Sequence, residues 1–452
     1  MSKDRLVVIG GDAAGMSAAS QARRQRSDLE IIAFERTPHT SYAACGIPYY
    51  VGDLIKAPDQ LVARAPEVFR EKQNIDARVN HEVIEIDLDT RRVKVINLDN
   101  STESWEPFDK LLIATGASPI VPAVPGKDAA GIYTISSLES GLRCREALDR
   151  EKPSKAVVIG GGYIGVEMAE ALLLRGCEVT MIEMAPQVMP TLDRDMAEIV
   201  SQKMIGDGVV LALNEPLTGF DVDGDGRVRA VVTSDRTFET DFTILSIGIR
   251  PESGLAADCG ITLGDRNAIR INERMETGIE GVWSAGDCAE SKHLISGKPF
   301  WVALGTVANK HGRVAGINIA GGEAVFPGVV GTAITKFNDL EIARTGLQQR
   351  EIEKLGMESV SAVIDSKTRA HYYPDSAPIK VKLHAEKGSG KLLGAQITGG
   401  SGSGKRIDTA AVALHAGMTV GEIVDLDLSY APPFSPVWDP VQIAARVLLS
   451  NL

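Results

Sequence analysis

Ala156-Val157-Val158-Ile159-Gly160-Gly161-Gly162-Tyr163-Ile164-Gly165-Val166-Glu167 is the stretch that decides the fold. Four apolar residues end in a GxGxxG turn at Gly160, Gly162 and Gly165, and a helix-forming run through Leu174 follows before Gly176. Glu178 to Ile182 then reads as a second strand that ends on Glu183. A short, fully apolar run suits a buried parallel strand. The glycines let the backbone approach a pyrophosphate at the helix N-terminus, and the acid can accept the hydroxyls of an adenosine ribose. Glu183 favours NADH, because a carboxylate repels a 2′-phosphate and Met184 and Ala185 bring no cation to hold one. NADPH remains open.

The same plan occurs earlier in the chain. Leu6-Val7-Val8-Ile9 leads into Gly10-Gly11-Asp12-Ala13-Ala14-Gly15, a helical run to Arg24, and a strand from Leu29 to Glu35. Asp12 stands where the middle glycine is expected, and alone this segment is equally a tight strand-to-helix turn. A carboxylate near a pyrophosphate is unfavourable unless its side chain points away. Two such units in one chain point to two dinucleotides held together, most simply a flavin and a nicotinamide.

Between them lies Ser41-Tyr42-Ala43-Ala44-Cys45-Gly46-Ile47-Pro48-Tyr49, with one cysteine and no second one nearby. Cys45 reads either as a small buried apolar residue or as a redox centre beside the nucleotide site. The five cysteines (45, 144, 177, 259 and 288) show no CxxC pair and no metal-ligand spacing, so no metal is expected. An odd, scattered set fits a reducing compartment.

The remaining texture fills in the frame. Leu61 to Lys72 reads as a turn into a helix tipped with basic residues, and Val83–Leu88 with Arg92–Ile96 as an antiparallel hairpin. Lys110–Ile113 is a strand ending in Ala114-Thr115-Gly116, small enough for a nucleotide to approach. Thr243–Ile247 runs into Gly248, and Gly281–Ser284 into Ala285-Gly286-Asp287. Ala303–Arg313 opens a helix whose N-terminus can stabilise negative charge on a reduced flavin. His311 on that helix is expected at its surface or as a cap. From about Phe326 the pattern becomes α+β with an antiparallel sheet.

The expected architecture is α/β: two Rossmann-like dinucleotide-binding domains plus a C-terminal α+β dimerisation domain. The boundaries are 1–119 with 253–325 for FAD, 120–252 for NAD(P)H, and 326–452 for dimerisation. The net charge of -12 over 452 residues argues against nucleic acid as a partner. No apolar run approaches the roughly 18 residues of a membrane span, and no signal segment opens the chain. The protein is expected to be cytoplasmic.

Taken together, these motifs resemble the flavoprotein disulfide reductases of the pyridine-nucleotide class. The match runs through the first Gly-rich turn with Glu35, Ala114-Thr115-Gly116, Gly160-x-Gly162-Tyr163-Ile164-Gly165-x-Glu167, and Ala285-Gly286-Asp287. The CxxxxC pair of glutathione reductase-like members is absent, so the chain looks like the single-cysteine branch. That branch holds coenzyme A-disulfide reductases, NADH oxidases, NADH peroxidases and persulfide reductases. Ala13 stands where oxidases and peroxidases carry His, and Tyr372-Tyr373-Pro374, Lys405-Arg406-Ile407-Asp408 and Tyr430-Ala431-Pro432-Pro433 resemble the coenzyme A-disulfide reductases. Ala44 departs from members with Asn before the cysteine.

The resemblance implies FAD and NADH as cofactors and coenzyme A as substrate or covalent adduct, in a homodimer. It implies Cys45 as the redox-active cysteine, with a thiol pKa below the usual ~8.5. Tyr430 from the partner subunit would act as acid, assisted by Tyr373 or Tyr372. Cofactor contacts are implied for Gly10, Gly15, Glu35, Arg36, Val83, Ala114, Thr115, Gly116, Asp287 and Thr306, and for Gly160, Gly162, Tyr163, Ile164, Gly165, Glu167, Glu183 and Gly248. Tyr163 would gate the nicotinamide face of the flavin. Substrate contacts are implied for Gln21, Arg24, Ser41 and Lys72. Two alternatives share the branch: an NADH oxidase or peroxidase, and a persulfide or polysulfide reductase. A third, of a different class, is a non-catalytic redox sensor.

Overall fold

The computed structural model describes residues 4–452. β1 (Arg5–Ile9) enters a turn that only glycine permits: Gly10 has φ 107°, and a Cβ there would lie 2.1 Å from the Ala114 carbonyl oxygen. Beyond it come α1 (Ala13–Gln25), β2 (Glu30–Phe34), α2 (Ile47–Val51), α3 (Pro66–Gln73) and β3 (Asp76–Arg78). β4 (His81–Asp87), β5 (Arg92–Asn97) and β6 (Thr102–Pro107) form an antiparallel sheet, and β7 (Lys110–Ile113) returns to lie parallel to β1. β8 (Ala117–Pro119) leaves this unit.

The second unit repeats the first. β9 (Ile132–Tyr133), α4 (Leu138–Glu151), β10 (Lys155–Ile159), α5 (Tyr163–Leu174), β11 (Glu178–Glu183), α6 (Arg194–Gly206) and β12 (Val210–Leu213) precede another antiparallel trio. That trio is β13 (Leu217–Val222), β14 (Val228–Thr233) and β15 (Thr237–Glu239). β16 (Phe242–Leu245) then returns beside β10. β17 (Ile249–Pro251) pairs antiparallel with β8, so the chain leaves and re-enters the first unit along two paired strands. α7 (Gly254–Asp258) leads to β18 (Val282–Ser284), which joins β7. The two parallel sheets read β3-β2-β1-β7-β18 and β12-β11-β10-β16-β9, the same order by role.

Alternation along β1 shows why this sheet is buried on both faces. Leu6 and Val8 pack with α1 residues such as Met16 and Ala18. Val7 and Ile9 pack instead with Val83, Ile86 and Val93 of the antiparallel sheet. Each such side chain contributes about 1.5–3 kcal/mol by leaving water. α8 (Gly305–Ile319) follows a short hairpin, β19 (Ser291–Lys292) and β20 (Pro299–Phe300). It crosses α1 closely, because a Cβ at Gly312 or Gly316 would lie 2.3 Å or 2.5 Å from the carbonyl oxygens of Ala14 and Ala18.

The last third is an antiparallel sheet in the order β21-β22-β25-β24-β23. Its parts in chain order are β21 (Ala333–Phe337), β22 (Leu340–Gly346), α9 (Gln349–Lys354), β23 (Ser359–Lys367), β24 (Pro378–Glu386) and β25 (Leu392–Gly399), with α10 (Ile407–Ala416), α11 (Val420–Val424) and α12 (Pro440–Leu449) after them. Polar contacts tie this sheet to the second unit. Thr335 donates to Glu167 at 2.7 Å, and Lys336 pairs with Glu170 at 2.5 Å. Buried Asp193 meets His384 at 2.8 Å and Lys382 at 3.0 Å. No helix among the described residues is long and apolar enough to cross a membrane.

Candidate active site

The two Gly-rich turns are near copies down to single atoms. Glu35 accepts from the Gly11 amide at 2.7 Å and the Thr37 amide at 2.8 Å. Glu183 accepts from the Gly161 amide at 2.7 Å and the Ala185 amide at 2.8 Å. A Cβ on Gly15 or Gly165 would lie 1.9 Å from the carbonyl oxygen of Gly10 or Gly160. Each acid is thereby fixed at the end of its strand, facing the turn where a ribose belongs. A side chain at Gly162 of the second turn, or at Gly116 just after β7, would meet no heavy atom within 4 Å, so the backbone is open at both places.

Asp287 marks the first turn as a place for a polar ligand. Its Oδ1 is buried without a partner, and burial pushes its carboxyl up to about 6. A buried acceptor of this kind calls for a donor from outside the chain, and the hydroxyl-rich FAD suits it. Thr115 Oγ1 donates to the Glu252 carbonyl, Ala114 is half-buried, and Thr306 is exposed at the start of α8. Arg36 is exposed just past β2. The Val83 side chain lies in the core, which leaves only its main chain for any cofactor contact. Gly248, φ 121°, follows the end of β16.

Cys45 sits in a single helical turn, Ala44–Gly46, directly ahead of α2. It is exposed, whereas Cys144, Cys177 and Cys288 are buried and Cys259 is intermediate. The buried reading of Cys45 is therefore set aside. α2 is wedged against the second unit: a Cβ at Gly141 of α4 would lie 2.4 Å from Ile47, and Arg145 of α4 donates to the Tyr50 carbonyl at 2.6 Å. Upstream, Ser41 has φ 48°; its amide donates to the Gly11 carbonyl at 3.0 Å, and the Tyr42 amide donates to Asp12 Oδ1 at 3.1 Å. Asp12 thus turns toward the cysteine loop.

The electrostatics correct one expectation. Cys45 is recessed enough that burial raises its thiol, and the carboxylates of Glu167, Asp287 and Asp12 raise it further. The chain's own groups therefore do not lower this thiol as expected. Glu167 is raised by burial although Thr335 donates to it. Burial pushes Asp12 up to about 7, with Glu35 and Asp287 adding to it. Tyr49, behind Cys45, is pushed up to about 12 by burial and by Glu167.

The other expected residues are less concentrated. Tyr163 opens α5 and its hydroxyl accepts from Thr191 at 3.3 Å; Ile164 follows it, half-buried. Gln21 and Arg24 lie on α1, joined by a 3.1 Å bond, and Lys72 is exposed on α3. No hydrogen bond among the described residues links these three to Cys45. Tyr430 stands beside Tyr372, which raises its hydroxyl, and both are exposed, at 46% and 66%. Tyr373 is half-buried in the neighbouring turn, its amide on the Ala370 carbonyl. Among the described residues of one chain, no hydrogen bond joins these tyrosines to Cys45.

His311 is neither on the helix surface nor a cap. It is fully buried, accepts from the Gly286 amide at 3.4 Å, meets Ser291 Oγ at 3.0 Å, and is pushed down to about 4 by burial. It braces the turn before Asp287 as a neutral ring. Two further features escaped the sequence reading: the Arg145 clamp on α2 and the Asp193 cluster. Neither has a local signature, since the partners lie 95 and 191 residues apart.

Residues 4–312 match the pyridine nucleotide-disulphide oxidoreductase family, and residues 332–440 match the dimerisation domain of the same name. The chain belongs to this family. It is a flavin-dependent NAD(P)H oxidoreductase. This oxidoreductase is 44% identical over 447 residues to the NAD(P)H coenzyme A polysulfide/persulfide reductase of Pyrococcus horikoshii, covering 99% of this chain and 98% of that one. It is 29% identical to the coenzyme A disulfide reductase of Staphylococcus haemolyticus, covering 97% and 98%. Among solved structures, the reduced CoADR-RHD of Bacillus anthracis superposes with a TM-score of 0.96 at 36% identity, covering 100% of this chain and 81% of that one.

Proposed function

We propose that this oxidoreductase reduces coenzyme A disulfide with NAD(P)H, using Cys45 as its single redox-active cysteine. The observation that carries the reading is one exposed thiol in a helical turn tied to the first Gly-rich turn and packed through α2 against α4 of the second unit, with no second cysteine beside it among the described residues. The other half of any disulfide at Cys45 then comes from a small-molecule thiol.

In this reading FAD is held by Gly10, Gly15, Glu35, Arg36, Val83, Ala114, Thr115, Gly116, Asp287 and Thr306. NAD(P)H is held by Gly160, Gly162, Tyr163, Ile164, Gly165, Glu167, Glu183 and Gly248. Bound there, FAD would supply two-electron redox chemistry between NAD(P)H and the cysteine. Tyr163, whose hydroxyl accepts from Thr191, would gate the nicotinamide face of the flavin. The Cys45 thiolate attacks one sulfur of the disulfide, forming Cys45–S–S–coenzyme A, and the departing thiolate takes a proton from Tyr430 of a second copy, assisted by Tyr372 or Tyr373. Two electrons and a proton then restore the Cys45 thiolate and release the second thiol. The sum is NADH, a proton and one disulfide giving NAD+ and two thiols. Gln21, Arg24, Ser41 and Lys72 bind the coenzyme A.

The domain division at 1–119 with 253–325, 120–252 and 326–452 belongs to the same proposal, as does the homodimer. Both draw support from the paired strands β8 and β17 and from the apolar side chains exposed around Tyr430, with Phe434 at 74% and Val437 at 70%.

A persulfide of coenzyme A is the second reading, favoured by the higher identity to the Pyrococcus horikoshii protein named for it. Both use the same thiol. The test is NADH oxidation by the flavin-loaded protein with coenzyme A disulfide, with coenzyme A persulfide, and with oxygen alone. Faster turnover of the disulfide supports the first reading and of the persulfide the second. Full disulfide activity in Cys45→Ser, or oxygen uptake outpacing both, contradicts the proposal.

A further inference from the structure

Asp12 occupies the place in the first turn that Gly162 holds in the second. The backbone does not explain the exchange. At φ -107° and ψ -150° the residue is extended, a conformation open to any side chain. Nor does helix capping, for the Asp12 side chain makes no capping bond to α1. What it does is accept the Tyr42 amide at 3.1 Å, while the neighbouring Ser41 amide donates to the Gly11 carbonyl at 3.0 Å. Two consecutive amides of the cysteine loop are thus fastened to two consecutive residues of the Gly-rich turn. Ser41 adopts its left-handed φ of 48° at that fastening, three residues before the helical turn that carries Cys45.

We propose that Asp12 is a positioning residue for Cys45: its carboxyl ties the cysteine loop to the Gly-rich turn and fixes where the thiol stands relative to a dinucleotide bound there. The inference rests on the reading of Cys45 as the redox centre. A carboxyl serves in two ways. As an acceptor it holds the Tyr42 amide in either protonation state. As a charge it acts on Cys45 when ionised; the charged groups that act most strongly on Asp12 are the acids Glu35 and Asp287. Its own shift to about 7 places that change near neutrality. An anionic Asp12 raises the thiol and a neutral one does not.

Two substitutions separate these roles. Asp12→Asn keeps an acceptor of the same shape and removes the charge, whereas Asp12→Gly removes both and restores GxGxxG. The flavin-loaded protein is reduced with dithiothreitol, desalted and alkylated with iodoacetamide from pH 6 to 9, with Cys45 modification followed by mass spectrometry. The expected result is that D12N matches the native protein within about twofold at pH 6, while D12G differs from D12N by about fivefold or more across the range. The Cys45 titration midpoint of D12N is expected below that of the native protein. Equal rates in D12G and D12N overturn the positioning role, and equal midpoints in D12N and the native protein overturn the electrostatic one. Hydrogen exchange at the Tyr42 amide decides the matter even if D12G fails to fold. Protection in both the native protein and D12N supports the tie, and exchange at the rate of an open loop overturns it. If Cys45 is not the redox centre, Cys45→Ser keeps its disulfide reductase activity, and none of the alkylation comparisons depends on that.

Discussion

At the scale of single residues, the site is dominated by carboxyls that have lost water. Asp12 and Asp287 are raised to about 7 and about 6 by burial. A carboxyl whose folded pKa lies above its unfolded value stabilises the fold fully below about pH 4, and that contribution is lost as pH rises through the folded pKa. Flavin-free protein is therefore expected to lose stability between about pH 4 and 7, by up to ~1.4 kcal/mol per pH unit for each group. Urea denaturation midpoints across that range measure it. The Asp12→Asn, Asp287→Asn double variant should show a visibly flatter profile, and an unchanged one would contradict the assignment. The cysteine, both acids and the Gly-rich motifs were legible in the chain from residue type and spacing. The direction of the Cys45 thiol shift was not, because it depends first on burial and then on Glu167, Asp287 and Asp12 converging from three distant places.

At the scale of elements, the duplication was legible because it repeats a local code of strand, glycines, helix and acid. Its strands alternate with turns that carry their own chemistry, so the order of contacts followed. Elements that depend on long-range pairing were missed. β8 and β17 join residues 117–119 to 249–251 in short runs without apolar periodicity. The antiparallel trio β13 to β15 was missed too, although its strands are neighbours in sequence. The Asp193 cluster is of the long-range class: the N-cap of α6 meets His384 and Lys382 on β24 and the amide of Gln349 at the start of α9. Removing Asp193 leaves the buried His384 ring and the Gln349 amide without their acceptor, while Lys382 keeps Asp195 at 2.8 Å. Asp193→Ala is expected to cost about 1–3 kcal/mol in denaturant unfolding. Hydrogen bonds to His384 and Lys382 depress the Asp193 carboxyl despite its burial. The cluster's contribution is thus complete above about pH 4 and falls on acidification. A cost under about 1 kcal/mol would place the cluster among ordinary surface pairs.

At the scale of the whole molecule, two features point beyond one chain. Tyr430 and Tyr372 form a hydroxyl pair with no link to Cys45 in the same chain, and the segment that carries Tyr430 exposes Phe434, Val437 and Trp438. Contiguous exposed apolar side chains mark contact surfaces, and a symmetric dimer would cover both copies at once. Phe434→Asp with Val437→Asp is expected to convert a dimer to a monomer in sedimentation. The variant should retain flavin and lose disulfide reductase activity by about tenfold or more. A monomeric variant with native activity would remove Tyr430 from the chemistry. The assembly was legible only through the family resemblance, since nothing in the spacing of Tyr430 and Cys45, 385 residues apart in sequence, connects them.

If Cys45 alone exchanges sulfur with a small-molecule thiol, that exchange can be seen before any reduction. Its most direct test needs no turnover. Reduced, desalted protein is mixed with coenzyme A disulfide in the absence of NAD(P)H, and the intact mass and peptide map are recorded. The expected result is one coenzyme A per chain, located on Cys45, absent in Cys45→Ser, and removed by dithiothreitol or by NADH. No adduct, or an adduct on Cys259 or another cysteine that persists in Cys45→Ser, would contradict it.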